Sequence, residues 1–370
     1  MTLIIVILVF SALVLIHEAG HLIAAKRSGI CVEVFSLGMG KRLFGFMAGG
    51  TDYRLSMVPF GGYCQMKGEN PEESTGAQDD MCAKPVGYRF WVIAAGSLMN
   101  LAFCFLLLTV VFNIGEPIIS NEVGEIMNGY PAEKAGLISG DRILSINGNT
   151  TEDWNDILKN ISSSPKDVPL DVLLERGEEK LNYKIYPQYS SSKDVFGKII
   201  ERSVIGIGST NNFKLEKHGF FQSISKAFKT TVMMVGMTYK MIWMLITGAM
   251  PVKGSVAGPI AIVIFMQKAA LAGAMQLLIL TANISLALAV FNLLPFPALD
   301  GGHLLFLLVE KIRKKPLSPK FQESATNVAF MLLITFALFV SWNDIVRFTP
   351  IGKMLSKGET QTVNDGKNSE

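Results

Sequence analysis

The sequence predicts a polytopic α-helical membrane protein. It should have four transmembrane helices, a β-hairpin region after the first, and one small extracytoplasmic α/β domain inserted between the second and third. Three observations carry that fold class. Charged residues are 18% of the 370-residue chain, against about 25% in soluble globular proteins. Mean hydropathy is +0.36. The apolar residues fall in blocks that reach or approach the roughly 20 residues a helix needs to cross a bilayer core of about 30 Å. A net charge of +3 supplies no basic field for nucleic acid. The four cysteines, Cys31, Cys64, Cys82 and Cys104, show no CxxC pair, which excludes a disulfide scaffold and a cysteine zinc site.

The four spans are read at residues 2–25, 90–113, 275–299 and 328–342. The first has no positive n-region, and Lys26 and Arg27 follow its apolar run, so it reads as a retained helix with its N-terminus outside. Lys311, Arg313, Lys314 and Lys315 mark the loop after span three as cytoplasmic, although Arg347 and Lys353 run against this bias. Both termini and the insertion then lie outside the cytoplasm. Residues 231–250 are apolar but interrupted by Lys240, with Lys226 and Lys229 just before, and read as an amphipathic helix on the membrane surface.

The chain divides into 1–113, with two spans and a β region at 31–68; 114–217, the inserted domain and its linker; 218–274, amphipathic surface helices; 275–348, the last two spans; and a disordered tail, 349–370. In the β region, residues 33–37, 53–58 and 61–67 read as short strands with glycine turns. Within the insertion, 135–148 alternates apolar and polar residues after the Gly140-Asp141 turn and reads as a strand. Residues 153–161 have helical spacing behind a cap at Thr151 or Glu152, and 168–174 with 180–186 flank a hairpin turn at Gly177. Together these resemble a PDZ domain, in which a strand and a helix form a groove for an extended peptide end. Residues 190–217, rich in Ser, Lys and Asn, read as linker. No internal repeat is apparent.

His17-Glu18-Ala19-Gly20-His21 is an HExxH motif inside the first span. On a helix its histidines lie about 40° apart in azimuth and about 6 Å apart along the axis, so both imidazoles can reach one metal ion. Glu18 beside them is placed to take a proton from water. Ionisable groups near the centre of a span cost at least about 2.5 kcal/mol each, which favours a metal or wet-cavity role over an idle polar face. A catalytic zinc commonly has three protein ligands. Of the two other histidines, His218 reads as a surface residue. The richer candidate is the segment 292–303, where Pro295 and Pro297 break the end of span three and Asp300 emerges at a depth similar to His21.

With both motifs in place, the chain closely resembles the site-2 protease family of intramembrane zinc metalloproteases, of the bacterial regulator-of-sigma-E protease type with a single PDZ domain. His17 to His21 matches that family's HExGH, and Asn292 to Gly301 its NxxPxPxLDG. Pro59 to Tyr63 and Gly258-Pro259-Ile260 also match. Gly96 to Asn100 resembles the family's GPxxN, with Ser97 in place of the proline, a departure read as leaving the metal site untouched. The resemblance implies that His17, His21 and Asp300 bind Zn2+, that Glu18 is the general base and acid, and that Asn292 contacts the scissile region. Asn100 is read as a supporting substrate contact or a helix-packing amide, and His303 as an outer or interfacial residue.

The resemblance further implies that the β region, with Gly61 and Gly62, dips into the membrane and holds an unwound substrate by strand addition. The expected substrates are single-span membrane proteins in the bacterial inner membrane, such as trimmed anti-sigma factors or remnant signal peptides. The PDZ-like domain would act as a filter or hold a peptide end. Two other classes share parts of the pattern. A metal transporter also uses intramembrane His, Glu and Asp, but has more spans and usually a repeat. A non-catalytic PDZ adaptor would not need HExxH with Asp300.

Overall fold

The computed structural model describes residues 2–348, apart from 71, 73, 166–167, 194–198, 211 and 253–254; the expected tail, 349–370, lies outside the described residues. The chain separates into two compact units, Met1–Val111 with Ile224–Glu370, and Phe112–Ser223.

The first unit opens with α1 (Thr2–Arg27), then β1 (Val32–Ala48) and β2 (Thr51–Met66), then α2 (Val86–Ile114). The short strands expected between 33 and 67 are two long antiparallel ones that fold over on themselves. Leu37 pairs with both Leu55 and Gly62, so the first half of β1 lies between the two halves of β2. That leaves 62–66 as one edge of the sheet and 42–48 as the other. The base of this sheet packs on α1 through Ala25, Ile30, Val32, Cys64 and Met66. Its tip does not bury its apolar side chains: Leu43, Phe44, Phe46 and Met47 are all exposed.

A loop returns from β2 to α2 and is fastened by Asp80. Thr75 donates to its carboxylate from both N (2.7 Å) and Oγ1 (3.0 Å), and Ser74 Oγ donates at 3.1 Å. Burial alone would favour the protonated carboxyl, but the Thr75 and Ser74 bonds and the Lys67 charge outweigh it and hold Asp80 below the ordinary aspartate range.

The second unit contains β3 (Glu116–Ile119), β4 (Val123–Ile126), α3 (Pro131–Lys134), β5 (Arg142–Ile146), β6 (Asn149–Thr150) and α4 (Trp154–Ser162). It continues with β7 (Leu170–Arg176), β8 (Glu179–Ile185), β9 (Gln188–Lys193), β10 (Ile199–Val204), β11 (Ile207–Ser209) and β12 (Phe213–Glu216). The central antiparallel sheet runs β6-β5-β7-β8, and β9–β10, β4–β11 and β3–β12 pair separately. Alternate residues Leu170, Val172 and Leu174 of β7 are buried, and with Ile143, Ile146, Ile157 and Ile185 they form the core.

Asp153, rather than Thr151 or Glu152, caps α4 by accepting from Asp156 N at 2.8 Å. The expected linker at 190–217 is instead four strands. β11 and β12 close the unit by pairing with β4 and β3 near its start, a long-range pairing that composition does not reveal.

The Gly140-Asp141 turn is held by Arg176, whose guanidinium grips the fully buried Asp141 carboxylate through Nε (2.7 Å) and Nη2 (2.8 Å).

The first unit resumes with α5 (Phe220–Ile246), α6 (Pro259–Ala272), α7 (Ala274–Asn292), α8 (Asp300–Arg313) and α9 (Pro319–Phe348). Among the described residues four helices are long and apolar enough to cross a membrane: Leu3–Arg27, Val86–Ile114, Ala274–Asn292 and Pro319–Phe348. Three of these extend beyond the expected spans, whereas the third stops at Asn292 and not at 299. The helix expected over 231–250 begins at Phe220. The reading of 218–274 as amphipathic throughout does not describe α6, which is apolar apart from Gln267 and Lys268 and packs against α1, α7 and α9. The N-terminus of α6 is capped by Asp344 of α9, which accepts from Gly258 N (3.3 Å) and Ala261 N (2.8 Å) and is itself buried.

Two predictions follow from these anchors. Arg176→Ala removes the cation paired with the buried Asp141 carboxylate, so thermal or denaturant unfolding should show a lowered midpoint for the second unit. Asp80 has its carboxyl depressed on folding, so its contribution is complete above the ordinary aspartate range and is lost as pH falls through the lowered value. Hydrogen exchange at Thr75 N should therefore accelerate below about pH 4, and Asp80→Asn should remove that pH step.

Candidate metal centre

The site begins with the approach of α1 to α2. A Cβ at Gly20 would overlap the carbonyl oxygen of Ala95. One at Gly96 would overlap His21 Nε2 and stand 2.8 Å from His17 Cε1. Glycine at both positions lets the helices touch backbone to backbone and opens on α2 the hollow that takes both imidazoles. His17 and His21 are buried there with ring centroids 4.8 Å apart and Nε2 atoms 3.2 Å apart. His21 Nδ1 lies 2.8 Å from the carbonyl oxygen of Val92, and because a carbonyl only accepts, Nδ1 carries the proton. His21 Nε2 then presents a lone pair.

The third side chain arrives from the other end of the chain. After α7 ends, 293–299 has no regular helix, as Pro295 and Pro297 require. Phe296 N turns back to Leu294 O at 2.7 Å, and Thr326 Oγ1 of α9 donates to Pro297 O at 3.2 Å. Gly301 and Gly302 allow the first turn of α8 to fold onto this segment. A Cβ on Gly301 would overlap Leu294 O, and one on Gly302 would overlap Phe296 O. The fold-back delivers Asp300, whose Oδ2 lies 3.2 Å from His17 Nε2 and 3.7 Å from His21 Nε2. Ser97 Oγ, one residue from the imidazole hollow, donates to the same Oδ2 at 3.2 Å. The expectation that the Ser97 departure leaves this site untouched is therefore corrected: the hydroxyl bears directly on Asp300.

His17, His21 and Asp300 offer one donor atom each, all within 4.8 Å of one another. The set fits a divalent cation: two imidazole nitrogens and one carboxylate oxygen converge, at least one nitrogen turning a lone pair inward. Glu18 lies on the wall of a cavity of about 750 Å³ whose lining also includes His17, His21, Tyr63, Cys64, Glu69, Asp300 and His303. A Cβ on Gly62 would stand 2.8 Å from Ser36 O and 3.4 Å from Glu18 Cγ, so the edge of β2 passes close to the glutamate because residue 62 has no side chain.

Gly61, Gly62, Asn100 and Asn292 do not line this cavity. Asn100 is buried, its backbone carbonyl accepts from Ser285 Oγ of α7 at 2.7 Å, and its Oδ1 has no hydrogen-bond partner among the described residues.

The sequence places Gly96 and Ser97 in the stretch that resembles GPxxN without assigning either to the metal site, and gives no signal for Glu69. Farther along the cavity wall Arg89 and Glu310 form a two-point ion pair, with Nη1 to Oε2 at 3.1 Å. His218, read as a surface residue, is half-buried in the second unit with Glu116 (3.4 Å) and Glu216 (3.8 Å).

An α-helical membrane protein that brings this donor set together from its two ends is, in class, a membrane metallopeptidase. Within that class the chain belongs to peptidase family M50, whose profile matches residues 5–336. It is 34% identical over 94% of its length to a Clostridium perfringens protein provisionally named a zinc metalloprotease, 99% of which is covered. Similarly named proteins of Campylobacter jejuni and Rhizobium meliloti are 33% and 31% identical, with 92% and 90% of this chain and 92% and 93% of theirs covered. A crystal structure of the PDZ domain of a SdrC-like protein from Listeria monocytogenes matches 25% of this chain and 88% of its own, at 21% identity and a TM-score of 0.21.

Gly96→Val should push the imidazoles out of their hollow while leaving the chain membrane-inserted. Metal analysis of the purified protein should show zinc falling from about one per chain to a small fraction of that.

Proposed function

We propose that the chain is an intramembrane zinc metalloprotease that hydrolyses peptide bonds within or near the transmembrane helices of single-span membrane proteins. The observation that supports this most is the meeting of His17, His21 and Asp300 beside Glu18, on a cavity that the edge of β2 also reaches. His17, His21 and Asp300 would hold the ion. When bound, zinc supplies Lewis acidity for the scissile carbonyl and lowers the pKa of the attacking water towards about 7.

The protein's own groups do the rest. Glu18, facing the cavity, takes the proton from the attacking water and returns it to the leaving amine. The edge at 62–66 pairs with no second described strand and would offer backbone N–H and C=O groups to an extended substrate strand, with the Glu69 carboxylate giving up Met66 N–H, and Gly62 keeps that strand near Glu18. A transmembrane helix must unwind before its peptide bonds can be cut, and new strand hydrogen bonds offset part of that cost. The exposed apolar tip of the β1–β2 sheet suits lipid contact. Asn292 is assigned to the substrate as an amide partner, whereas Asn100, buried between helices and off the cavity, is assigned to helix packing. The second unit, read as a PDZ-like domain outside the cytoplasm, filters substrates by the size of their outer part or holds a peptide end. Trimmed anti-sigma factors and remnant signal peptides are the substrate types that fit.

The test uses full-length protein in detergent with a single-span test substrate. Glu18→Gln should retain zinc and lose cleavage by about 10²–10⁴-fold. A chelator should abolish cleavage and added zinc restore it. Cleavage unaffected by Glu18→Gln would overturn the assignment, and zinc-dependent uptake into vesicles without cleavage would point to a transporter.

A further inference from the structure

Ser97 carries an inference that rests on the zinc reading above and adds to it. Several threonines in the apolar helices of this chain bond the carbonyl four residues back in their own helix, whereas Ser11, Ser285 and Thr326 cross to a backbone carbonyl elsewhere. The local bonds run from Thr109 to Phe105 O (2.8 Å), Thr281 to Leu277 O (2.7 Å) and Thr335 to Met331 O (2.9 Å). Ser97 is fully buried and its hydroxyl instead crosses to Asp300 Oδ2, 203 residues away in sequence, at 3.2 Å. That oxygen is the one turned towards both histidine Nε2 atoms.

We propose that Ser97 is a positioning residue for the metal: its hydroxyl fixes the rotation of the Asp300 carboxylate so that the aspartate is held in ligand orientation before zinc arrives. A carboxylate oxygen has lone pairs for both a cation and a hydrogen bond, so the two contacts are compatible. Asp300 sits at the start of α8 behind a non-helical segment, and the hydroxyl is a direct polar tie from that side chain to α2. Without it, the carboxylate oxygen keeps only the histidine Nε2 atoms as close polar neighbours, and those must turn their lone pairs to the ion when it binds. A proline at 97, the residue the family motif carries there, offers no hydroxyl.

The experiment is a zinc titration of full-length protein in detergent, stripped by chelator and competed against a chromophoric chelator of known affinity. Ser97→Ala and Ser97→Pro should each weaken zinc binding by about 10-fold or more, with the thermal midpoint of the metal-free protein reported beside each. Pairing Ser97→Ala with Asp300→Asn separates positioning from packing. If the hydroxyl acts through the carboxylate, its removal should change zinc affinity far less in the Asp300→Asn background than in the wild type. The proposal is overturned if both Ser97 variants bind zinc within about twofold of wild type, or if the loss is the same in the two backgrounds. Wild-type protein that binds no zinc would instead sink the metalloprotease reading itself.

Discussion

The close approach of α1 to α2 at Gly20 and Gly96 is the constraint on which the site depends. Lipid tails give two apolar helices no hydrophobic reason to associate, so contact between them relies on fit. Here the fit is made by deleting side chains: α1 touches the backbone of α2 at Ala95, and one residue on, Gly96 leaves a hollow the size of two imidazole edges. Everything else in the centre is referred to that contact. Val92, one turn earlier on α2, sets the tautomer of His21, and Ser97, one residue later, reaches Asp300. A single stretch of α2 thus meets all three candidate metal donors.

A second buried carboxylate organises the other side of the first unit. Asp344 spends its charge on the N-terminal amides of α6, where three backbone N–H groups, those of Gly258, Ile260 and Ala261, would otherwise face an apolar surrounding. This explains Gly258-Pro259-Ile260 in physical terms. Proline starts the helix where no amide partner is available, and glycine before it leaves room for the carboxylate, since a Cβ there would stand 2.6 Å from Asp344 Oδ2.

Much of the architecture was readable because membrane helices announce themselves by length and apolarity, and HExxH by its one-turn spacing. Asp300 was readable for a different reason: prolines and glycines around it made a helix break at the depth of His21. What was not readable depended on partners remote in sequence. Residues 207–209 and 213–216 form strands because β4 and β3 wait for them, not because their composition favours extension. The third span ends at Asn292 because the fold-back under Gly301 and Gly302 needs the following residues, although Leu293, Leu294 and Phe296 look like more helix. Ser97 reads in the sequence only as a replaced proline. Its meaning as a donor exists only once Asp300 is beside it.

The division of the donor set between the two ends of the chain has a consequence for biosynthesis. His17 and His21 leave the ribosome with the first helix, whereas Asp300 follows only after the second unit and three further helices have been made. For most of translation the nascent polypeptide holds two imidazoles of a three-donor set in a bilayer crowded with other newly inserted helices. On the proposed ligand set it cannot close its metal centre, and so cannot cut those neighbours, until its own insertion is nearly complete.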